Sequence, residues 1–217
     1  MNSVILSAVR TPIGAFMGGL SSFTAPQLGA EVVKEAVKKA GLKNESIQEV
    51  IMGNVLTGGV GQAPARQAAI YAGLPESVEC MTVNKVCGSG LKSVMLADQS
   101  IRLEDAEVFI AGGQESMSNA PYILPKARKG YKMGNGELVD SMIFDGLWDI
   151  YNRFHMGNAG ELCSSECNIP REEQDDYAEE SYRRAIKAQE EGLYDNEIIP
   201  AEVKTRKKTI TFDKAEE

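Results

Sequence analysis

The chain has 217 residues, of which 43% are hydrophobic and 25% charged, a composition typical of a globular protein that can bury a core. Its 23 basic and 31 acidic residues give a net charge of -8, which argues against a nucleic-acid-binding surface. No apolar run reaches the ~18 residues of a membrane-spanning helix, and the start of the chain lacks the basic region of a secretory signal. We therefore expect a cytoplasmic protein whose four cysteines are reduced thiols.

Strand and helix patterns alternate through the first half of the chain. Short apolar runs predict strands over residues 3–9, 49–56, 81–86 and 107–111. Helical spacing of apolar residues predicts helices over residues 26–40, 64–72 and 91–101. This βαβαβαβ order predicts an α/β fold, with a mostly parallel sheet, helices on both faces and ligand sites at the carboxyl ends of the strands.

The alternation stops after Gly113. Residues 114–160 contain few regular signals, and a loop of that length in a compact domain is usually functional. A charged helix is predicted over residues 170–191, followed by strands over 197–203 and 209–212.

Cys87 is the candidate nucleophile because of its place in this pattern. It follows a predicted strand and precedes a predicted helix, so unsatisfied amides and the helix dipole would favour its thiolate. The same amides could receive a carbonyl oxygen as negative charge develops on it, while Gly88 and Gly90 would let a substrate come close. The alternative interpretation is a small buried residue at a helix start.

Two other sites are open from the residues alone. His155, the single histidine, could pair with Cys87 as a nucleophile and base, although a packed or hydrogen-bonding histidine is the commoner case. Cys163 and Cys167 would share one helix face and could hold zinc together with His155. Because paired C-x-x-C clusters are missing, two small buried helix cysteines are the favoured interpretation, and we expect no metal.

Six segments, in chain order, carry a resemblance to a known family: SAVRTPIGAFMGGL (7–20), GNVLTGGVGQAPARQAA (53–69), MTVNKVCGSGLKSV (81–94), AGGQESMSNAPY (111–122), MGNGELVDSMIFDGLWD (133–149) and HMG (155–157). They resemble the thiolase family, in particular the biosynthetic acetyl-CoA acetyltransferases, and the likeness covers essentially the whole chain. The string around Cys87 favours thiolases over the ketoacyl synthases and hydroxymethylglutaryl-CoA synthases of the same superfamily.

The resemblance implies roles for four residues. Cys87 matches the cysteine that thiolases acylate when they condense two acetyl-CoA to acetoacetyl-CoA or cleave 3-ketoacyl-CoA. Leu147 matches a leucine that contacts the pantetheine arm. His155 and Met156 match residues that line the acyl pocket, which argues against a Cys87–His155 dyad. The resemblance further implies coenzyme A thioesters as substrates, no cofactor, and a homo-oligomer, either a dimer or a tetramer.

The resemblance also implies a division of the chain and an incomplete catalytic centre. Residues 1–119 match the thiolase N-terminal α/β domain without its last strand, and residues 120–217 match the first part of the loop domain that binds CoA. The family's Asn-Glu-Ala-Phe, Gly-His-Pro and Cys-x-Gly-Gly-Gly motifs do not occur in the sequence. We therefore expect these residues alone to be inactive, and the alternative function is a truncated, non-catalytic structural or assembly partner.

Overall fold

The computed structural model describes residues 2–216, which divide into two compact units. One contains the residues up to Pro121 and those from Glu197 onward, and the other is Tyr122–Asn196. The family resemblance implies a boundary after residue 119 and places the last segment in the second region. In the structure this segment returns to the first unit, where Glu197 accepts a 2.8 Å hydrogen bond from the Arg10 amide and pairs with the Arg10 guanidinium at 3.0 Å.

The first unit is an α/β structure. Its helices are α1 (Ala25–Lys39), α2 (Pro64–Tyr71) and α3 (Ser89–Arg102). Its main strands are β1 (Glu49–Gly53), β2 (Glu79–Val83) and β3 (Phe109–Gly113). All six lie within a few residues of their predicted positions, because the apolar patterns that predicted them are the patterns that pack into the core.

The three strands form a parallel sheet in the order β2–β1–β3. Successive residues of β1 face opposite sides of it. Val50 and Met52 belong to the core formed with α1 and α2, whereas Gly53 faces the first turn of α3. Helices thus cover both faces of the sheet, as predicted, and the carboxyl ends of its three strands lie at one edge.

The predicted strand over residues 3–9 is wrong, since these residues form no strand within the described part of the chain. Side chains attach the segment to the helices: the Ser3 hydroxyl hydrogen-bonds Asp98 of α3, and the Ser7 hydroxyl donates to the Ala36 carbonyl at 2.8 Å. A groove of about 850 Å³ is lined jointly by this segment, α1, α3 and β3. The apolar composition predicted an extended segment, but a strand also needs backbone partners along a neighbouring strand.

A hairpin completes the first unit. Its strands are β8 (Ala201–Lys204) and β9 (Thr209–Phe212), which pair in antiparallel fashion. The Phe212 ring lies against Gly19, where a Cβ atom would come within 2.1 Å of it. The basic run 204–208 covers the last residue of β8 and the turn that leads into β9.

The second unit contains helices and short hairpins. Its helices are α4 (Ser141–Gly146), α5 (Met156–Glu166) and α6 (Arg171–Glu190). Its two-residue strands pair as β4 (Tyr122–Ile123) with β5 (Val139–Asp140), and β6 (Trp148–Asp149) with β7 (Phe154–His155). The sequence predicted α6 and a helix at Cys163 and Cys167, which corresponds to the end of α5, but it did not predict the six-residue α4. Among residues 2–216, no helix has the length and apolar character needed to cross a membrane.

Candidate active site

Cys87 lies in the turn that joins β2 to α3, as predicted. The turn follows the end of β2 at Val83, and α3 begins at Ser89 with Gly88 as its N-cap. The Cys87 side chain is exposed, so the alternative of a small buried residue is wrong. A substrate that approaches the carboxyl edge of the sheet can therefore reach the thiol.

The residue before Cys87 has a strained backbone. Val86 has a φ of 47°, a left-handed conformation that is costly for a β-branched side chain. Its amide donates to Asn84 Oδ1 at 2.9 Å, and its carbonyl accepts from the Ser89 hydroxyl at 2.6 Å. The same hydroxyl accepts from the Lys85 amide at 2.8 Å. These hydrogen bonds hold the strained backbone from which Cys87 projects, a combination found at functional sites.

Two amides of the turn donate hydrogen bonds to carbonyls within the turn itself. The Gly88 amide donates to the Lys85 carbonyl and the Ser89 amide to the Val86 carbonyl, both at 3.1 Å. Because a donor engaged in this way does not point at a substrate oxygen, these two amides are not free oxyanion donors in this arrangement. The sequence predicted that amides at the start of α3 could form an oxyanion hole. Since the Gly88 and Ser89 amides are already engaged, the candidate donors are other amides, such as that of Cys87.

The sheet and α3 approach closely because Gly53 has no side chain. A Cβ atom there would lie 2.6 Å from the Ser89 carbonyl carbon and 2.7 Å from the Gly90 nitrogen. The completely buried Ser93 hydroxyl adds a link, since it lies 2.6 Å from the Gly90 carbonyl oxygen and 2.8 Å from that of Gly112. The start of α3, and with it the Cys87 turn, is held directly against the sheet.

Replacing Gly53 with alanine is expected to destabilise the chain by about 2 kcal/mol, because the new methyl group would overlap backbone atoms that cannot rotate away. Urea unfolding measures this change. The matched control is Gly112→Ala in β3, where a Cβ atom would meet only the Met52 sulfur at 3.7 Å and the change should stay within about 0.5 kcal/mol. Equal effects of the two substitutions would contradict the close approach at Gly53.

An acidic residue that the sequence analysis did not single out joins the loops of the site. Glu115 follows β3, and its carboxylate accepts hydrogen bonds from Asn54 Nδ2 at 2.7 Å and from the Val55 and Leu56 amides at 2.8 and 3.2 Å. Burial raises the pKa of Glu115, and these donors offset only part of the rise. The signal available in the sequence was an acid just after the glycines that end a strand, at the edge where ligand sites were predicted.

Hydrogen bonds connect Glu115 to the Cys87 turn. The Val55 carbonyl accepts a long hydrogen bond of 3.5 Å from Asn84 Nδ2. Asn84 in turn accepts from the Val86 amide through Oδ1. This series of hydrogen bonds from Glu115 therefore ends at Val86, one residue before Cys87. The Glu115 carboxylate stabilises the loop that contains Val55, and that loop is hydrogen-bonded to the Cys87 turn.

The second unit brings the other three predicted site residues together. Leu147 follows α4, and the strands β6 and β7 pair directly between Leu147 and Met156. The Met156 amide donates to the Leu147 carbonyl at 2.9 Å, so both residues lie beside His155. His155 Nδ1 caps α5 by accepting from the Gly157 amide at 3.1 Å. Cys87 belongs to the first unit.

The sequence matches a family model over nearly its whole length. The family is described as "Thiolase, N-terminal domain", and the match covers residues 3–217. The chain belongs to the thiolase family. This membership confirms the resemblance seen in the sequence segments and the α/β fold class expected from it.

Three relatives illustrate the similarity. The acetyl-CoA acetyltransferase of Cupriavidus necator is 55% identical over 204 residues, which cover 94% of this chain and 52% of that protein. Acetyl-CoA acetyltransferase 1 of Arabidopsis thaliana is 51% identical over 214 residues, or 98% of this chain and 52% of that protein. The mitochondrial acetyl-CoA acetyltransferase of Bos taurus is 47% identical, with 99% and 50% covered. The thiolase chain thus spans about half the length of these curated relatives.

The other three cysteines of this thiolase chain differ in their surroundings. None of the four cysteines forms a disulfide in the structure. Cys80 in β2 is partly buried, and this burial raises the pKa of its thiol. Cys163 and Cys167 are exposed, so the expectation that they are buried helix residues is wrong: α5 buries no residue at all. Residues 2–216 contain no group of three or more His, Cys, Asp or Glu side chains placed to hold a metal ion.

Proposed function

We propose that Cys87 accepts the acyl group in a thiolase reaction that condenses two acetyl-CoA molecules to acetoacetyl-CoA. The observation that carries the proposal is the exposed Cys87 thiol on a strained, hydrogen-bonded turn at the carboxyl edge of the parallel sheet. Relatives named acetyl-CoA acetyltransferase match the chain throughout this region. Their names point to the substrate class, and the geometry of the turn supports Cys87 as the nucleophile.

The proposed reaction has two halves. The Cys87 sulfur loses its proton and attacks the thioester carbon of acetyl-CoA, so that a new carbon–sulfur bond forms and CoA leaves as a thiolate that takes up a proton. The α-carbon of a second acetyl-CoA then loses a proton to a base, and the resulting carbanion attacks the acetyl carbon on Cys87. A carbon–carbon bond forms, the carbon–sulfur bond to Cys87 breaks, and the Cys87 sulfur leaves as a thiolate that takes up a proton. The Cys87 amide is our candidate donor to the first oxyanion, because those of Gly88 and Ser89 are engaged in the turn.

We assign contacts with the pantetheine arm and the acyl group to Leu147, His155 and Met156. The β6–β7 hairpin keeps these residues adjacent, and Met156 is 43% exposed. Because His155 Nδ1 accepts a hydrogen bond, its neutral ring carries hydrogen on Nε2. That Nε2–H is suited to donate to an acyl oxygen, a binding role rather than the role of the base that activates Cys87.

The remaining parts of the proposal rest on the family. We propose coenzyme A thioesters as the substrates and a homo-oligomer as the complete enzyme. We also propose a reducing compartment such as the cytoplasm, in which the four cysteines stay as thiols.

A chimera tests the proposed function. These 217 residues would replace the matching half of the Cupriavidus necator relative, and thiolysis of acetoacetyl-CoA would be followed by its absorbance. We expect the chimera to turn over. A polypeptide of these residues alone should not, because the Gly-His-Pro and Cys-x-Gly-Gly-Gly motifs that the family resemblance calls for do not occur in its sequence.

Two outcomes would contradict this proposal. One is a folded chimera that is inactive while the intact relative is active under the same conditions. The other is condensation of acetyl-CoA by the 217-residue polypeptide alone, at a rate that Cys87→Ser abolishes. The first would remove the proposed activity, and the second would remove the expectation that turnover needs further residues.

A further inference from the structure

Helix α5 ends with two thiols on one face. Cys163 lies in the last turn of the helix and Cys167 is its C-cap. The Cys167 amide donates to the Cys163 carbonyl at 2.9 Å, which places the two residues one helical turn apart on the same side. Both side chains are exposed. A dissolved reagent can therefore reach both sulfurs at once.

The two side chains also interact with each other. The neighbouring Cys167 thiol raises the pKa of Cys163, and the nearby Glu166 adds to the rise. This influence agrees with the placement of the two residues one helical turn apart. Backbone geometry and exposure are therefore the reasons to treat the pair as one dithiol.

Helix geometry decides what such a dithiol can bind. The Cβ atoms of residues four apart on a helix are about 5–6 Å apart, whereas a disulfide needs about 3.5–4.5 Å, so a disulfide would distort the last turn of α5. An ion that bridges two sulfurs removes this conflict, because each sulfur bonds the ion at a distance of about 2.3 Å, as in zinc thiolates. Soft ions are the ones that thiolates select.

We propose that Cys163 and Cys167 form a dithiol site for soft, thiophilic ions, with trivalent organic arsenicals as the fitting class. A tetrahedral zinc site needs four ligands, and residues 2–216 place no third ligating side chain with this pair. A trivalent arsenic that carries one organic group needs only two sulfurs. The proposal uses no residue of the Cys87 turn and does not depend on the proposed function.

The binding step is a ligand exchange without electron transfer. With phenylarsine oxide, each sulfur forms a bond to arsenic and the bonds from arsenic to oxygen break. The two thiol protons leave with that oxygen as water. Arsenic stays trivalent and keeps its phenyl group, so the step needs neither an oxidant nor a reductant.

Phenylarsine oxide added to the full chain, followed by intact-mass spectrometry in the presence of excess 2-mercaptoethanol, tests the proposal. We expect one arsenical per chain. Cys163→Ser and Cys167→Ser should each weaken binding about 100-fold or more, because a single thiol loses the effective concentration of its neighbour. Because both side chains are exposed, we expect these variants to fold normally. Circular dichroism checks that they do.

The control is the double variant Cys80→Ser, Cys87→Ser, which should bind the arsenical as the unaltered chain does. Three results would overturn the proposal: no adduct on the unaltered chain, full affinity in either single variant, or loss of the adduct in the double variant. A dithiol such as dimercaptopropanol should remove the bound arsenical, and an adduct that resisted it would also speak against a two-sulfur chelate.

Discussion

Serine in place of Cys87 is expected to lower turnover of the chimeric thiolase by about 10⁴-fold or more, a loss of the size seen when an enzyme loses its nucleophile. A serine hydroxyl does not ionise near neutral pH, so without an adapted base it attacks a thioester far more slowly than a thiolate does. The side chain is exposed, and the change in size is small. The loss should therefore appear in kcat for acetoacetyl-CoA thiolysis while the fold is kept.

The matched control is Cys163→Ser, which alters an exposed thiol of the second unit and should leave turnover nearly unchanged. Circular dichroism and urea unfolding of Cys87→Ser separate a chemical loss from a folding defect. A Cys87→Ser enzyme that retained most of its activity would show that another group forms the acyl intermediate. The arrangement of the turn would then be structural only.

Alanine in place of Glu115 is expected to reduce the free energy of unfolding by about 3 kcal/mol. The substitution removes the acceptor of three hydrogen bonds, from Asn54 Nδ2 and the Val55 and Leu56 amides. Asn54 and Leu56 are only 1% and 5% exposed, and a buried donor left without a partner costs about 1–3 kcal/mol. Urea unfolding of the chain measures the loss.

Two variants sharpen this experiment. Glu115→Gln keeps one acceptor oxygen and should cost less than Glu115→Ala. Glu31→Ala changes an exposed acid of α1 and should stay within about 0.5 kcal/mol of the unaltered chain. A Glu115→Ala chain as stable as the Glu31→Ala chain would mean that the carboxylate does not hold the loop.

The pH dependence of Glu115 has a definite sign. Because burial raises the pKa of this carboxyl in the folded state, the folded chain binds its proton more tightly than the unfolded chain does. Its contribution to stability is therefore largest below the ordinary carboxyl pKa and declines as the pH rises through the raised value. The side chain of Glu115→Gln does not titrate. As the pH rises through this window, the unaltered chain should therefore lose stability relative to the Glu115→Gln chain.

Local patterns were sufficient to predict most of the fold. Apolar periodicity placed α1, α2, α3 and the strands β1, β2 and β3, because each buries the side chains that create its period. The segment 3–9 shows the limit of this reasoning, since its apolar run predicted a strand whose backbone partners are not supplied by β3. The composition of a segment does not determine which distant segment its backbone pairs with.

In the candidate site, too, some features could be predicted from local sequence and others could not. Cys87 could be found from the sequence because a strand end, a glycine-rich turn and a helix start are local features. The role of Glu115 could not, because it depends on hydrogen bonds to residues about sixty positions away, such as Asn54. The close contact at Gly53 likewise follows from tertiary packing rather than from local preference.

The most direct test is to locate the acyl group. The chimeric thiolase would be mixed with isotopically labelled acetyl-CoA, quenched in acid, digested with trypsin and mapped by mass spectrometry. We expect a labelled acetyl group on the peptide that runs from Val86 to Lys92, which contains Cys87. Label on a peptide containing Cys80, Cys163 or Cys167, or turnover without any labelled peptide, would contradict it.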